Sequence, residues 1–228
     1  MQLSYDLHIH SCLSPCADDD MTPNNVINMC KIKGLDVISI TDHNSTINLD
    51  SFINTAKKMD IIFIPGVEIE TQEEIHVLLY FKDISIINEF QDLLDSKLKK
   101  IPNHKEIYGN QFIVDEQDNI LYEYNDLLLQ PLDVSIDELF NISNFFDMLF
   151  IPAHINRESY GLIGRLGSIP EYILLNNIFE ISHNQEIDVK NFIKKDSLIF
   201  KSSDAHRLWE INERVNFIDS SILYTIFF

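Results

Sequence analysis

Apolar residues along this 228-residue chain come in short β-branched and aliphatic runs, most closed by a polar cluster, at 3–8, 36–40, 61–64, 75–81, 148–151, 178–181 and 198–201. Runs of this length and composition read as strands, seven in all. Between several of them the pattern changes to a helical period. Thr22-Pro23 offers an N-cap and first helical residue ahead of Val26, Met29 and Cys30, and Gly34 supplies a stop. Leu49, Phe52, Ile53 and Ala56 follow the i, i+3, i+4, i+7 rule, and Ile87, Phe90, Leu94 and Leu98 share one face over a longer stretch. Strand followed by helix, repeated, predicts an α/β fold with a parallel sheet, and seven such units predict a closed or nearly closed barrel. The rhythm breaks at 110–126, where two apolar-bearing arms flank Asp118-Asn119 in the manner of a hairpin. A helix-plus-hairpin insertion at about 84–146 is therefore expected on the rim of a single domain spanning 1–228.

Composition narrows the partners. With 45% apolar and 11% aromatic residues the chain can bury a sizeable core, which excludes a disordered acidic tail. A net charge of −19 repels phosphate backbones, so neither long duplex nucleic acid nor an anionic membrane face is expected as a partner. The apolar runs fall far short of the roughly 20 residues that span a bilayer. The apolar tail, 222–228, is expected to pack into the core. A small anionic substrate is compatible with this charge only where local cations are supplied. Three cysteines, with Cys12 and Cys16 enclosing three residues, do not form a disulfide pattern, and the N-terminus runs straight into a strand; a cytoplasmic protein without a secretion signal is expected. No obligate protein partner is indicated.

Most of the eight histidines sit at or just beyond a predicted strand end, where parallel barrels place their active sites. His8-Ile9-His10 puts two imidazoles on one strand face, able to share a metal. His43 follows the 36–40 strand in Thr41-Asp42-His43-Asn44, whose Asp42 and Asn44 read as a capping turn. Glu68, in Pro65-Gly66-Val67-Glu68, offers a carboxylate that can bridge two ions, and His76 heads an apolar strand, where a neutral core histidine is the competing reading. His154 closes Phe150-Ile151-Pro152-Ala153, and Asp204-Ala205-His206 repeats the same-face spacing of His8 and His10. Each piece alone is modest; five recurring at strand ends point to a multinuclear metal centre.

The set DLHIH, TDHN, PGVEIET, IPAH and SSDAH, in order and spacing from Leu3 to about Glu210, resembles the polymerase and histidinol phosphatase (PHP) family of metal-dependent phosphoesterases. The resemblance implies a distorted (β/α)7 TIM-like barrel with up to three divalent ions, Zn, Mn or Fe. It implies that His8 and His10 share one ion with Glu68 and Asp204, and that Glu68 bridges to a second held also by His76 and His154. A third would take His43, His206 and a ligand from the loop after the first strand. Counting back from Thr22-Pro23 selects Asp18, with Asp19 or Asp20, or charge complementarity at the helix N-terminus, as the competing readings. This loop departs in length from the commoner family form. The acidic run lacks the ligand spacing of an EF-hand.

The ions would supply the cations that the composition withholds. The expected reaction is hydrolysis of a phosphomonoester of a small metabolite or short nucleotide by a metal-activated hydroxide, with His43, His206 and Glu68 as the catalytic set. Histidinol-phosphate hydrolysis and a non-catalytic metal-binding module are the alternatives. Arg157, then Arg165 and Arg207, are candidate phosphate ligands, with surface salt bridges as the rival account. His183 is either a substrate contact or a satisfied buried histidine, and His104 a surface residue. Tyr122 and Tyr124 offer either a base-stacking rim or ordinary packing.

Overall fold

In the computed structural model, residues 1–183 and 186–228 are described. The strands are β1 (Gln2–Ile9), β2 (Val37–Ile40), β3 (Ile62–Phe63), β4 (Gly66–Glu70), β5 (His76–Tyr80), β6 (Phe112–Val114), β7 (Ile120–Glu123), β8 (Leu149–Pro152), β9 (Ile178–Glu180), β10 (Leu198–Phe200) and β11 (Phe217–Asp219). Helices α1 (Pro23–Ile32), α2 (Leu49–Lys58) and α3 (Ile87–Lys97) form where the periodicity predicts them, with Pro23 at the first turn of α1. All seven predicted strands are present, and β4, β11 and the hairpin pair β6–β7 complete the set among the described residues.

The strands assemble into a mixed sheet system rather than an all-parallel one. Four hydrogen-bonded sheets are described, ordered β11-β1-β2-β3, β10-β9, β4-β5-β8 and β6-β7, and no single ladder closes on itself. β1, β2 and β3 are parallel, as are β9 and β10, whereas β5 is antiparallel to both β4 and β8. The reason lies in the connection: residues 71–75 between β4 and β5 are far too few for a parallel crossover, which needs a dozen or more. The reversal brings the first residue of β5, His76, to the rim where the other strands end, and His76 pairs directly with Glu70.

Two apolar clusters hold this arrangement. Ile9, Ile38, Ile40, Val67 and Ile69 face helices α1 and α2 through Val26, Cys30 and Phe52. Tyr5, Leu7, Leu78, Tyr80, Ile151 and Phe200 form the second, sealed at the end away from the histidines by the C-terminal helix Ser220–Phe227. Phe227 meets Tyr80 and Phe200 edge-on at 5.3 and 5.9 Å, so the apolar tail packs into the core through Leu223 and Phe227, while Ile222, Tyr224 and Phe228 stay exposed. Leu7 and Ile9, two residues apart, belong to different clusters because β1 is irregular between Asp6 and Ile9, three residues advancing against two on β2. Such a bulge re-aims side chains, here those of the His8–His10 segment. Gly66 is required where β2 and β5 close in, since a Cβ would stand 2.9 Å from Ser39, Thr41 and Tyr80.

Within 84–146, α3 leads into α4 (Lys105–Tyr108), the β6–β7 hairpin and α5 (Ile136–Phe145), the last begun by a Ser135/Glu138 capping box. Asp118 takes φ 65° at the predicted hairpin turn. Asn44 is more than a turn residue: at φ 52°, its amide donates to the carbonyls of Leu128 and Gln130 at 2.8 Å and so ties this region to the rim.

Candidate metal centre

His8 and His10 are buried at the end of β1, and their hydrogen bonds set which ring nitrogen faces inward. His8 Nδ1 lies 3.1 Å from Glu180 Oε2, and a carboxylate only accepts, so in the neutral ring Nδ1 carries the proton and Nε2 offers a lone pair. Asp42 accepts from the Ser11 amide and from the hydroxyls of Ser11 and Ser14, at 2.7, 2.6 and 2.7 Å. With its hydrogen committed to Asp42, Ser14 Oγ accepts from His10 Nδ1 at 3.0 Å and from the His43 amide at 3.1 Å. His10 Nε2 is therefore also a lone pair.

These ring nitrogens converge on two carboxylates. His8 Nε2 and His10 Nε2 are 3.2 Å apart, and Asp204 Oδ1 is 3.2 Å from each. Glu68 stands 3.3 Å from His8 and 3.5 Å from His10. On its other side Glu68 meets His43 Nδ1 and His76 Nδ1 at 3.0 Å and His154 Nε2 at 3.3 Å. His206 donates Nδ1–H to the Asp204 carbonyl at 2.8 Å, which leaves its Nε2 as a donor of electrons. Three groups bring their ligand atoms within 4.8 Å of one another: His8, His10, Glu68 and Asp204; His43, Glu68 and His76; and His10, His43 and His206. Glu68 Oε2 and the Nδ1 atoms of His43 and His154 are buried without a hydrogen-bond partner. Electron pairs packed this closely in a buried site repel unless protons or cations lie between them, and mixed imidazole and carboxylate donors suit Zn, Mn or Fe.

The titration behaviour follows from the same crowding. Burial opposes a charge on Glu68, yet His76, His8 and His43 hold it well below the usual carboxylate range. Asp204 is likewise held low against burial, chiefly by His8 and His10. Burial opposes a charge on His8, but Glu180, Asp204 and Glu68 outweigh it and raise its pKa well above the imidazole range. His10 is pushed far down by burial and by His206 and His43, and burial takes His76 to about 4 despite Glu68.

Asp18 is not drawn into these groups. Its side chain is 40% exposed and faces Arg207 Nε at 3.5 Å. On the same loop, burial opposes ionisation of the Cys16 thiol, but the imidazoles of His43 and His206 bring it down to about 6. Arg157 does reach the site, with Nη1 2.8 Å from Asp204 Oδ2. Arg165 instead pairs with Glu74 and with the Glu73 carbonyl, and Arg207 with Glu210 and the face of Trp209. His183 and His104 are exposed, and neither lines the cavity above the centre. That cavity, of about 510 Å³, is walled by Glu70, Glu74, Arg157 and Tyr160 on one side and by Tyr108, Leu129 and Pro131 of the 84–146 region on the other. Tyr122 is exposed, and Tyr124 spends its hydroxyl on Asp95 at 2.9 Å, so Tyr108 and Tyr160 are the aromatics at the rim.

Glu180 is the residue the strand pattern left unmarked. It holds the His8 ring and also accepts from the His154 amide at 3.1 Å, fixing His154 in a backbone conformation with φ 29°. Asp204 too has positive φ, at 56°, and such strained non-glycine positions gather at functional sites.

A buried carboxylate ringed by imidazoles at the strand ends of an α/β fold defines a metal-centred hydrolytic site. The chain belongs to the PHP domain family, whose pattern matches residues 6–201. It is similar over 97% of its length to the structure of a candidate metal-dependent phosphoesterase from Bifidobacterium adolescentis, at 15% identity and a TM-score of 0.65, covering 94% of that chain. It is similar over 91% of its length, at 21% identity and a TM-score of 0.60, to an endonuclease Q in complex with a 27-mer duplex bearing an abasic lesion, of which it spans 50%. A 5'-3' exoribonuclease of Haemophilus influenzae is 33% identical over 81 residues, which are 34% of this chain and 28% of that protein. The chain thus spans about a quarter of this curated relative and half of the endonuclease. Family and site together support a metal-dependent hydrolase. The expected exclusion of duplex nucleic acid is not supported: an endonuclease similar in fold was solved with a duplex substrate, and net charge alone does not report the field inside a cleft. No helix among the described residues is long and apolar enough to cross a membrane.

Proposed function

We propose that this protein hydrolyses phosphomonoesters of a small metabolite or a short nucleotide at a site for three divalent ions, in a cytoplasmic setting. The observation that carries the reading is the convergence of five buried imidazoles on the Glu68 carboxylate, with Asp204 beside His8 and His10. His8, His10, Glu68 and Asp204 would hold one ion, Glu68, His76 and His154 a second, and His43 and His206 a third; Asp18, the loop ligand the sequence indicates, faces Arg207 and would have to turn inward to join them. Bound divalent ions supply an acidified water and charge neutralisation on phosphoryl oxygens. Around them the chain's own groups orient the reaction: Glu180 and Ser14 fix the His8 and His10 rings, Arg157 presents a guanidinium to a phosphoryl oxygen, and Tyr108 and Tyr160 flank the leaving group. A single domain, 1–228, with its insertion at 84–146, would be a distorted (β/α)7 barrel. The bridges Ile9↔Ala205 and His43↔Glu68 support that view by joining neighbouring sheets. The two nucleases among the similar proteins favour a nucleotide or an oligonucleotide end over histidinol phosphate.

Protein purified without chelators is expected to carry metal and to release phosphate from nucleotides with Mn or Zn, to lose this activity on chelation and to regain it on reloading. Release from histidinol phosphate but not from nucleotides would replace the substrate class with the first alternative. A metal-free protein that gains neither stability nor hydrolysis from Mn, Zn or Fe would leave the non-catalytic module.

The arginines separate by position. Arg157→Ala is expected to raise KM for a phosphomonoester about ten-fold, the loss of one charge-assisted hydrogen bond of about 1.5 kcal/mol. Arg165→Ala and Arg207→Ala, neither of which lines the cavity, are expected to leave KM nearly unchanged. Steady-state kinetics of the three variants checks this, and a larger effect at Arg207 would move the phosphate to the other rim.

A further inference from the structure

One loop carries two of the side chains that wall the cavity above the metal centre, Arg157 and Tyr160. Between His154 and α6 (Leu162–Leu166) the chain winds back on itself. The Arg157 amide donates to the His154 carbonyl at 2.9 Å, and a Cβ on Gly161 would lie 2.3 Å from the Arg157 carbonyl oxygen. Tyr160 is left at φ 61°, a left-handed conformation uncommon for a bulky residue, and a bond from β5 holds it there: the His76 amide donates to the Tyr160 carbonyl at 2.9 Å. In this position the tyrosine ring stacks on the His76 imidazole, with centroids 4.5 Å apart and planes at 27°. Tyr160 still lines the cavity and is 44% exposed. The 84–146 region adds Tyr108, Leu129 and Pro131 to the same walls.

We infer that Tyr160 is a specificity-determining residue of the site: its ring is the platform on which the base of a nucleotide stacks, while Arg157 of the same loop holds the phosphoryl group. The inference rests on the phosphomonoesterase reading above and names the leaving group that the cavity favours. A volume of about 510 Å³ lies within the range of roughly 300–1,000 Å³ usual for small-molecule sites. An aromatic face accepts the π-face of any base. A polyol leaving group gains less, because Leu129, Pro131 and the ring faces leave its hydroxyls without partners. The stack on His76 fixes the Tyr160 ring before substrate arrives, so little side-chain freedom is lost on binding.

The test uses the whole chain loaded with manganese, in wild-type, Tyr160→Phe and Tyr160→Leu forms, with circular dichroism and metal content measured on each. Phosphate release is followed from adenosine 5′-monophosphate and from glycerol 3-phosphate, which carries no ring. Wild type is expected to favour the nucleotide about ten-fold in kcat/KM, Tyr160→Phe to keep that preference, and Tyr160→Leu to lose it, chiefly through KM for the nucleotide. A second measurement needs no substitution: adenosine is expected to inhibit glycerol 3-phosphate hydrolysis by wild type at a concentration about ten-fold below that of ribose. Equal kcat/KM for the two substrates in wild type, a loss in Tyr160→Leu that falls equally on both, or adenosine no better than ribose overturns the inference and leaves the phosphomonoesterase reading standing. The equal loss would show a ring that only supports His76. Release of phosphate from neither substrate with Mn, Zn or Fe overturns both.

Discussion

Glu68→Gln is expected to lower phosphate release by about 10³-fold or more and to cost the protein more than one bound ion, with little change in its folded content. Glu68 is the carboxylate that faces both sets of imidazoles, with His8 at 3.3 Å on one side and His76 and His43 at 3.0 Å on the other. An amide keeps the volume but presents one oxygen and no charge, so it cannot serve two ions. The loss of several kcal/mol of charge stabilisation corresponds to three orders of magnitude or more in rate. The fold should survive because the backbone here is held without the side chain: the Glu68 amide donates to the Asp42 carbonyl at 3.1 Å, and the Asn44 amide to the Glu68 carbonyl at 2.8 Å. Metal content, thermal melting and turnover measured on one preparation check the prediction. A variant that keeps all its metal, or that loses activity only because it unfolds, would remove Glu68 from the centre of the site.

The histidines and carboxylates of this site were legible in sequence because a strand end is a local feature. A β-branched run stopping at His43, His154 or Asp204 announces both the strand and the rim it reaches, and α/β folds gather such rims in one place. Strand direction was less legible. Periodicity reads the same in either direction, and only the five-residue spacer 71–75 betrays that β5 runs backwards. His76 reached the expected rim because of that reversal, although it stands at the head of its strand. The residues that position the ligands were hidden for a different reason. Glu180 falls inside the apolar run 178–181 expected as a strand, where a lone carboxylate carries no pattern, yet it is the last residue of β9, and the more conspicuous His183 is exposed. Asp42 looked like a capping residue because the two serines it gathers, Ser11 and Ser14, lie about thirty positions earlier in the chain. Counting back from Thr22-Pro23 chose among acidic residues, but the course of the loop is set by the Ser14 hydroxyl and the Asp18 amide, whose partners are the His43 amide and the His206 carbonyl far along the chain.

Glu180→Gln is expected to weaken metal binding by roughly 10- to 100-fold, the usual cost of removing the group that orients a ligating histidine. The carboxylate has two jobs at once, fixing the His8 ring by Nδ1 at 3.1 Å and taking the His154 amide hydrogen at 3.1 Å. Both contacts fall on Oε2, and Oε1 also lies 3.2 Å from His8 Nδ1, so whichever oxygen the glutamine nitrogen replaces, its amide N–H comes to face the His8 ring. That N–H favours the tautomer with the proton on Nε2, the nitrogen aimed at Asp204 and Glu68, and the ring then offers its lone pair in the wrong direction. If the amide nitrogen takes the Oε2 place, His154 also loses the acceptor that steadies its amide at φ 29°. Either way the loss falls on affinity before it falls on the chemical step. The variant should therefore recover much of its activity at high metal concentration, whereas Glu68→Gln should not. Titrating activity against added Zn or Mn in the two variants separates a residue that aims the ligands from one that belongs to them. Equal insensitivity to metal in both would place Glu180 among the ligands, and an unchanged titration curve would reduce its role to packing beneath β1.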